Sequence, residues 1–355
     1  MRIKRSSTFV VRLEGDQFVF HSYLAQQTFS THPTALEIVR RLHSWVDRGA
    51  LFEILPGYSR DSILRSIDQL IELGVIMTEG SEVADFDEAF TRSWVWGPLA
   101  AAYHFGARDG AYISAEDSVS MLRQQAMFSP SPRLFTTNPD PATAISLPPR
   151  EDYPEPFLTM ARRRTDRIMT DAPISIGQLS DCLLFSMAIT AMIEDPDVVN
   201  LPLKMAPSGG ARNPYEAYVC ASRVTGLAPG SYHYSGLERT LAPTGVGAPP
   251  PFPDMLGGQQ WTASSAAVIF LVANFDRVMW KYHDPAAYRV TYIEAGHIAQ
   301  NIALVATKHG LVANPSGALS RRSVEETLGV GGVTQSVVYA IALGTPAEAR
   351  VTTHA

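Results

Sequence analysis

The stretch PSGGARNPYEAYVCAS, residues 207–222, runs from a glycine-rich turn into a short segment of apolar, β-branched and aromatic residues. Glycine adopts positive φ readily, so the backbone N–H groups of Gly209 and Gly210 can point into one concavity. Such a nest suits a phosphate, a carboxylate or the edge of a polar ring. The same pattern is typical of an ordinary loop entering a strand, with Ser208 as a turn residue. The turn is therefore a candidate cofactor floor, and the rest of the chain decides between the two interpretations.

The bulk composition is that of a globular protein, with 46% hydrophobic and 18% charged residues. A chain of 355 residues suits two or three modules, because domains usually hold about 100–200 residues each. The net charge is −6 and the basic residues are scattered. A basic field that could hold a phosphate backbone is missing from this pattern, so we expect no nucleic-acid partner.

The targeting signals and cysteines favour a cytoplasmic protein. The N-terminal residues carry several basic side chains without an apolar region of signal-peptide type. No run approaches the ~18 apolar residues of a membrane span, so we expect no membrane partner. Cys182 and Cys220 are the two cysteines, and each lies in an apolar context that predicts a small buried hydrophobe. They predict neither a disulfide framework nor a metal site.

Residues 1–85 predict a winged-helix-like domain. Alternating residues on either side of Gly15-Asp16 indicate a hairpin, and a helical pattern follows from Thr34, with Leu36, Val39, Leu42 and Val46 on one face. Ser59 is a predicted N-cap for a second helix that ends before Gly74. The charges of this helix are balanced, which favours peptide or protein docking through an edge strand over DNA binding. A purely structural or dimerising domain is the open alternative.

Residues 86–154 predict a connecting segment that is first aromatic and then rich in proline. The aromatic residues Trp94, Trp96, Tyr103 and His104 could line a site, although such a cluster more often packs into a core. A helix is predicted over residues 115–127. From residue 129 to residue 156, proline is dense enough to forbid regular elements, which predicts an extended strap.

A cluster of cations opens the region that follows. FLTMARRRTDRIM, residues 157–169, brings four arginines together, and such cations repel one another unless an anion neutralises them. Guanidinium groups suit phosphate oxygens, whereas a solvated basic helix end is the alternative. Ser175 and Gln178 then predict a capping box that starts an apolar helix. Arginines, a buried helix and a glycine-rich nest in this order suggest a phosphate-bearing cofactor.

Strands at 217–222, 230–236, 266–275 and 335–343 surround a long helix at 287–309, which predicts an α+β fold with a mixed sheet flanked by helices. The helix is expected to end at Gly310 and to turn Ile293, Ile298, Ile302 and Val305 inward. A further short helix is expected after a capping box at Ser323.

Lys281 and Tyr282 follow the apolar strand at 266–275. An ammonium beside a phenol favours the phenolate, so the pair could act as a general acid or base if both side chains converge at a strand end. Lys-Tyr is also a common dipeptide, and by itself it indicates nothing specific.

Residues 155–347 resemble the flavin-dependent nitroreductase-fold enzymes, and within them the SagB-type azoline dehydrogenases of thiazole/oxazole-modified peptide biosynthesis. The resemblance rests on ordered blocks: RRRTDR, PSGGARNPYEAY, GSYHY, WKY, AYRVTYIEAGHIAQN and GLVANPSGA. It implies an FMN-binding domain over residues 155–355, and a homodimer that shares its flavin sites through the helix at 287–309. It also implies a modified peptide as substrate and cyclodehydratase subunits as partners.

The resemblance also implies roles for individual residues. Lys281 and Tyr282 match the family's catalytic pair, which would take a proton from a thiazoline or oxazoline ring while hydride passes to FMN; dioxygen would reoxidise the flavin. The implied phosphate ligands are Arg163, Arg164, Thr165, Arg167 and Arg350. The implied contacts to the flavin ring and ribityl chain are Ser208, Gly209, Gly210, Arg212, Ser316 and Gly317. Thr165 replaces the family's usual serine, and Asp166 is a departure from its pattern. A nitroreductase-like reductase fed by NAD(P)H and a non-catalytic scaffold subunit stay open as alternatives.

Overall fold

The computed structural model describes residues 1–54, 57–106, 114–128, 155–194, 201–244 and 248–347. Of the strap predicted over residues 129–156, residues 129–154 lie outside this description, and so does Arg350. The helices are α1 (Pro33–Arg41), α2 (Leu51–Ile54), α3 (Arg60–Glu72), α4 (Glu82–Ser93), α5 (Gly97–Gly106), α6 (Ala115–Phe128), α7 (Phe157–Arg162), α8 (Ile176–Met187), α9 (Phe252–Met255), α10 (Phe275–Met279), α11 (Ala287–Lys308) and α12 (Arg321–Leu328).

The strands fall into several sheets. They are β1 (Arg2–Arg5), β2 (Phe9–Glu14), β3 (Gln17–Ser22), β4 (Gln27–Thr31), β5 (Val46–Asp47), β6 (Ile76–Thr78), β7 (Met169–Thr170), β8 (Ile174–Ser175), β9 (Ile189–Ile193), β10 (Leu201–Lys204), β11 (Tyr215–Ala221), β12 (Val224–Thr225), β13 (Gly230–Ser235), β14 (Thr240–Pro243), β15 (Ala267–Asn274), β16 (Val312–Ser316) and β17 (Gln335–Pro346). The largest sheet has the order β14-β13-β11-β15-β17-β16, and β7 pairs with the end of β17.

Every strand pair described in this largest sheet is antiparallel. The parallel pair, β8 with β12, belongs to a separate two-stranded sheet. The α+β class predicted from the sequence is therefore confirmed, while the main sheet is antiparallel and not mixed. Helix α11 returns the chain from the end of β15 to the opposite end of the sheet, so β15 and β16 run in the same direction. These two strands are not neighbours, because β17 lies between them and pairs antiparallel with both.

The central strand β15 is buried along both faces. Ala267, Ile269 and Leu271 belong to the hydrophobic cluster under α8 and α11, whereas Val268 and Phe270 belong to the cluster under α9 and α12. Successive side chains of a strand point to opposite faces, so an unbroken apolar run is what a sheet covered on both sides requires. Strand β15 therefore lies between the two hydrophobic clusters and contributes side chains to both.

Helix α11 crosses one face of the sheet. Ile298 and Ile302 are fully buried as predicted, and the helix ends before Gly310, whose φ of 70° suits the left-handed position after a C-terminus. Ile293 is instead 55% exposed, so its predicted inward position is wrong. It directly precedes the buried Glu294, and since successive helical residues point about 100° apart, Ile293 lies on a stripe that this chain alone leaves uncovered.

Helix starts are set by individual caps. Ser175 and Gln178 form the predicted capping box at α8, and the Ser59 side chain caps α3. The capping box expected at Ser323 is wrong, because α12 begins at Arg321 and Ser323 lies inside it. The carboxylate of Glu325 faces inward, where it accepts hydrogen bonds from Ser336 Oγ and from the backbone N–H of Val337.

The N-terminal elements form a cluster of their own. β1 pairs with β5 and β6, β2-β3-β4 form a meander that includes the predicted hairpin, and α1 and α3 pack with them. Helix α1 ends at Arg41, so the predicted helix is shorter than its pattern, and Val46 belongs to β5. The winged-helix identity of residues 1–85 and its docking role stay predictions.

The aromatic segment packs into the main core. Trp94 and Trp96 are 6% and 1% exposed, and their rings contact Phe275 and Tyr288 of the long-helix region at centroid distances of 5.4–6.3 Å. The predicted packing role is confirmed for Trp94, Trp96 and His104, whereas Tyr103 is 64% exposed. The part of the chain that the structure describes contains no helix long and apolar enough to cross a membrane.

Candidate active site

Lys281 and Tyr282 lie in a turn directly after α10. The backbone N–H groups of both residues donate to the carbonyl of Val278, which extends the helix by a turn. The pair was expected at a strand end, and that expectation is wrong because α10 intervenes. The two side chains still converge, with Lys281 Nζ 5.3 Å from the centre of the Tyr282 ring. Tyr282 is 36% exposed, so the phenol is accessible from solvent.

The glycine turn faces this pair. Gly210 has a φ of 61°, and a Cβ placed on it would lie 2.3 Å from Tyr282 Oη and 3.0 Å from Lys281 Nζ. A Cβ on Gly209 would lie 2.8 Å from Val290 Cγ1 on α11. A side chain at either position would therefore occupy space that a neighbouring residue already fills. The turn and the pair, 71 residues apart in sequence, form one wall of a candidate active site.

The turn is held from below by α11. The buried carboxylate of Glu294 accepts hydrogen bonds from the Ser208 side chain and the Gly209 backbone, and it also faces Lys204. Burial raises the pKa of Glu294 above its ordinary value, and the hydrogen bond from Ser208 opposes that shift. Ser208 Oγ in turn accepts the backbone N–H of Asn213 at 2.8 Å. Sequence reasoning missed Glu294, although the residue lies inside the block AYRVTYIEAGHIAQN that carries the family resemblance.

Arg212 points away from the glycines. Its guanidinium lies 4.6 Å from the centre of the Trp280 ring, and its Nε donates to the carbonyl of Arg277 at 2.9 Å. Arg277 donates to the carbonyl of Asn213 at 2.9 Å and to Glu216 at 2.5 Å. These contacts tie the turn to α10.

A second group of predicted residues gathers at the end of β16. Ser316 is buried and its Oγ accepts a hydrogen bond of 2.8 Å from Gln259. Gln259 also accepts the indole N–H of Trp261 at 3.1 Å, and the Arg167 guanidinium lies 5.6 Å from the centre of that indole. A Cβ on Gly317 would meet no atom within 4 Å, so open space adjoins this group.

The arginine block runs beside this second group. Arg163 and Arg164 follow the end of α7, and Arg164 Nη1 donates to the carbonyls of Ala161 and Arg163. Within the described residues, no carboxylate lies within 4.0 Å of Arg163, Arg164 or Arg167. The Asp166 carboxylate accepts the backbone N–H of Ile168, and the Asp166 carbonyl accepts from Asn314.

Among the described residues, none of the contacts of the glycine turn reaches Arg163, Arg167 or Ser316. The glycine turn contacts α11 at Val290, whereas Glu155, which precedes α7, bonds Lys308 at the other end of that helix at 2.8 Å. Eighteen residues of α-helix separate these contacts, which corresponds to about 27 Å. The structure therefore brings Gly209 and Gly210 to Lys281 and Tyr282, and it brings Arg167 to Ser316, but it does not bring the two groups together.

The cysteines are distant from this chemistry. Both are fully buried, as predicted, and burial raises the pKa of Cys182 to about 12 and that of Cys220 to about 11. Thiols held in this form are poor nucleophiles. Over the described residues, no cluster of three or more His, Cys, Asp or Glu side chains could hold a metal ion.

Comparison with known proteins identifies the fold. The model of the Nitroreductase family matches residues 160–345, more than half of the chain. The chain belongs to the Nitroreductase family. This membership confirms the family predicted from RRRTDR, PSGGARNPYEAY and the later blocks, and it covers both groups of site residues.

Individual relatives extend the comparison. TfxB of Rhizobium leguminosarum bv. trifolii, a trifolitoxin-processing protein, is 24% identical over 310 residues, which cover 81% of this chain and 81% of TfxB. MJ1384 of Methanocaldococcus jannaschii, which carries a nitroreductase name, is 28% identical over 172 residues, or 48% of this chain and 81% of MJ1384. A chain of the E. coli microcin synthetase McbBCD complex, solved with truncated pro-MccB17 bound, has a TM-score of 0.51 at 18% identity. That match covers 73% of this chain and 98% of the solved chain. The two chains therefore share a fold that extends well beyond residues 160–345 of this chain.

Proposed function

We propose that the protein is an FMN-dependent dehydrogenase of SagB type that oxidises azoline rings of a modified peptide to azoles. The observation that carries the proposal is the position of Gly210 against Tyr282 Oη and Lys281 Nζ. A titratable phenol and an ammonium share one small space above a glycine floor, which is the arrangement that proton removal from a flat ring requires. Similarity to TfxB, a processing protein for a peptide toxin, supports a peptide as substrate.

The residues present fit FMN. The arginines at 163, 164 and 167 have no carboxylate partner within the described residues, and guanidinium groups bind phosphate well. Gly317 adjoins open space beside the buried Ser316, where a backbone could approach a ring. Arg163, Arg164, Thr165 and Arg167 would hold the phosphate, and Ser316 with Gly317 would lie at the ring. Bound FMN would supply the acceptor for the hydride that leaves the substrate.

Residues of this chain would remove the proton from the ring. Conversion of an azoline to an azole removes one proton and one hydride from the ring. The Tyr282 phenolate would take the proton at Oη, and the Lys281 ammonium would stabilise that phenolate by its charge. Gly210, without a side chain, would let the ring lie close to Oη. The hydrogen bond of 2.9 Å from the Trp96 indole to the Tyr282 carbonyl would hold the turn that contains Tyr282 in place.

The separation of the two groups favours a homodimer. Among the described residues, no contact of the glycine turn reaches the arginine block of the same chain, so a flavin site built from both is better served by two chains that each supply one group. Ile293 and Val290, exposed on α11, provide an apolar stripe for such a contact. The likeness to a chain of a synthetase complex supports further partners of cyclodehydratase type, with residues 1–85 as the docking domain.

The experiment is to purify the protein, load it with FMN and incubate it with a thiazoline-bearing peptide. The expected result is a flavin spectrum and a product lighter by about 2 Da per ring, as one proton and one hydride leave. A preparation that cannot be reconstituted with FMN overturns the flavin assignment. NAD(P)H-dependent reduction of a nitroaromatic, with no mass change in the peptide, would assign the protein to small-molecule reduction and overturn the azoline assignment.

A further inference from the structure

A cavity of about 500 Å³ opens beside the candidate active site. It lies between the β9-β10 hairpin, the start of β11 and the β13-β14 turn. Part of its lining is apolar and includes Met187, Ile189, Pro202, Tyr234 and Leu237. This volume falls within the range of pockets that bind small molecules or single side chains with their neighbours.

The charged part of the lining is mostly cationic. Its lining includes the cations Lys204, Arg212 and Arg277 and the single carboxylate of Glu216. Glu216 is already engaged, because Arg277 contacts it at 2.5 Å and His233 at 3.2 Å. Among the described residues, no carboxylate lies within 4.0 Å of Lys204 or Arg212. The cavity therefore carries an excess of positive charge.

Lys204 is the cation of this cavity that a contacting carboxylate would stabilise most. It is partly buried, and its Nζ donates to the carbonyl of Tyr215 at 3.3 Å. Burial lowers the pKa of Lys204, while Glu216 and Glu294 attract the charge from a distance. A desolvated ammonium gains strongly when a carboxylate comes into direct contact with it.

The cavity and the candidate catalytic pair share one turn. Gly210 faces Tyr282 Oη, whereas the next residues, Ala211, Arg212 and Asn213, line the cavity. A ring above Gly210 would thus place a neighbouring part of the same peptide at the cavity mouth. Arg277 also lines the cavity, on the helix that leads directly to Lys281.

We propose that this cavity binds a carboxylate on an apolar stem, carried by the peptide substrate next to the ring that reacts. Lys204 pairs with the carboxylate and Arg212 adds a second donor. The apolar residues of the lining contact the stem. The proposal rests on the proposed function for the identity of the substrate as a peptide. It assigns a preference for an acidic group close to the oxidised ring.

The test is calorimetric binding to the FMN-loaded protein, which needs no turnover. The probes are acetyl-Leu-Leu-Asp-amide, with a side-chain carboxylate; acetyl-Leu-Leu-Leu, with a main-chain carboxylate; and acetyl-Leu-Leu-Asn-amide, which is neutral. At least one acidic probe is expected to bind about tenfold or more tightly than the neutral one. Comparison of the two acidic probes assigns the carboxylate to a side chain or to a chain end.

Lys204→Met should reduce the affinity for the acidic probe about tenfold and leave the neutral probe unchanged. Methionine has a volume similar to that of lysine, and urea unfolding checks that this variant is folded under the conditions of the titration. Lys308→Met, which removes an ammonium paired with Glu155 on the surface, is the matched control and should leave binding unchanged. Equal binding of acidic and neutral probes, or an unaffected Lys204→Met variant, overturns the proposal. Inorganic phosphate that displaces the acidic probe at similar concentration assigns a general anion site and also overturns it. Binding as expected without azoline oxidation would overturn the proposed function alone.

Discussion

The indole N–H of Trp96 donates a hydrogen bond of 2.9 Å to the backbone carbonyl of Tyr282, across 186 positions of sequence. The neighbouring Trp94 donates instead to the carbonyl of Gly97 at 3.0 Å, within its own turn. The two indoles are equally buried and contact each other at a centroid distance of 5.6 Å. One of them is attached to the candidate catalytic turn and the other is not.

Trp96→Phe is therefore expected to slow dehydrogenation of a thiazoline peptide about fivefold, because one hydrogen bond that orients the Tyr282 turn is worth about 1 kcal/mol. FMN affinity and the KM for the peptide should stay unchanged. Trp94→Phe is the matched control, since it removes a similar volume and a hydrogen bond of similar length. Equal losses of kcat in both variants would contradict a positioning role for Trp96.

Tyr282→Phe should retain FMN and lose at least about 100-fold in kcat, because general acid–base groups typically contribute that much or more. Single-turnover kinetics with the FMN-loaded protein measure the loss directly. Tyr103→Phe, a change at a phenol that is 64% exposed, serves as control. A Tyr282→Phe variant with full activity would remove the phenol from the mechanism.

Gly210→Ala should displace the Tyr282 side chain, because the new Cβ would lie 2.3 Å from Oη. We expect a loss of activity in addition to a stability cost of about 1 kcal/mol for alanine at positive φ. Gly80→Ala is the control: Gly80 has a φ of 75°, and a Cβ there meets no atom within 4 Å. Both variants should lose similar stability in urea unfolding, and only Gly210→Ala should lose activity.

Arg163→Ala combined with Arg167→Ala should weaken FMN binding at least about tenfold, since each charge-assisted hydrogen bond to phosphate contributes about 1.5–3 kcal/mol. Fluorescence titration with FMN and with riboflavin separates the phosphate from the ring, and riboflavin binding should hardly change. Arg92→Ala, at a surface pair with Glu88, controls for charge. Unchanged FMN affinity in the double variant would refute the phosphate assignment.

Glu294→Gln should change how stability depends on pH. Burial raises the pKa of Glu294 above its ordinary value of 4.5, so the unfolded chain ionises this group first. The stability that the protonated form provides is present below that ordinary value and is lost as pH rises through the raised pKa. Urea unfolding from pH 4 upward should show a smaller decline in the Gln variant than in the wild type. Glu326→Gln, at an exposed position on α12, controls for the removed charge.

Most of the fold could be predicted from the sequence because the strongest signals in the sequence are local. The apolar run of β15, the capping box at Ser175 and the glycine after α11 each follow from a few neighbouring residues. The proximity of the glycine turn to Lys281 and Tyr282 came only from the family resemblance, because no local rule relates residues so far apart.

The errors have physical reasons. Ile293 stands five residues before Ile298, about 140° around the helix, so it falls outside the buried stripe that a spacing of three or four residues defines. The Ser-x-x-Glu pattern of Ser323 and Glu326 lies inside α12, which begins at Arg321, so Ser323 is not at the helix cap. Glu294 was passed over since an acidic residue on an apolar helix face gives no hint of its partners before the fold is known.

The core that the aromatic segment completes has a practical consequence for dissecting the protein. A fragment that starts at residue 155, close to where the family match begins, would leave out the indoles that cover Phe275 and Tyr288. Its exposed aromatic face would favour aggregation, and its reactive turn would lack an anchor. A loss of activity on truncation would then reflect the loss of packing around the candidate active site. The docking role proposed for residues 1–85 should be tested with point variants in those residues instead.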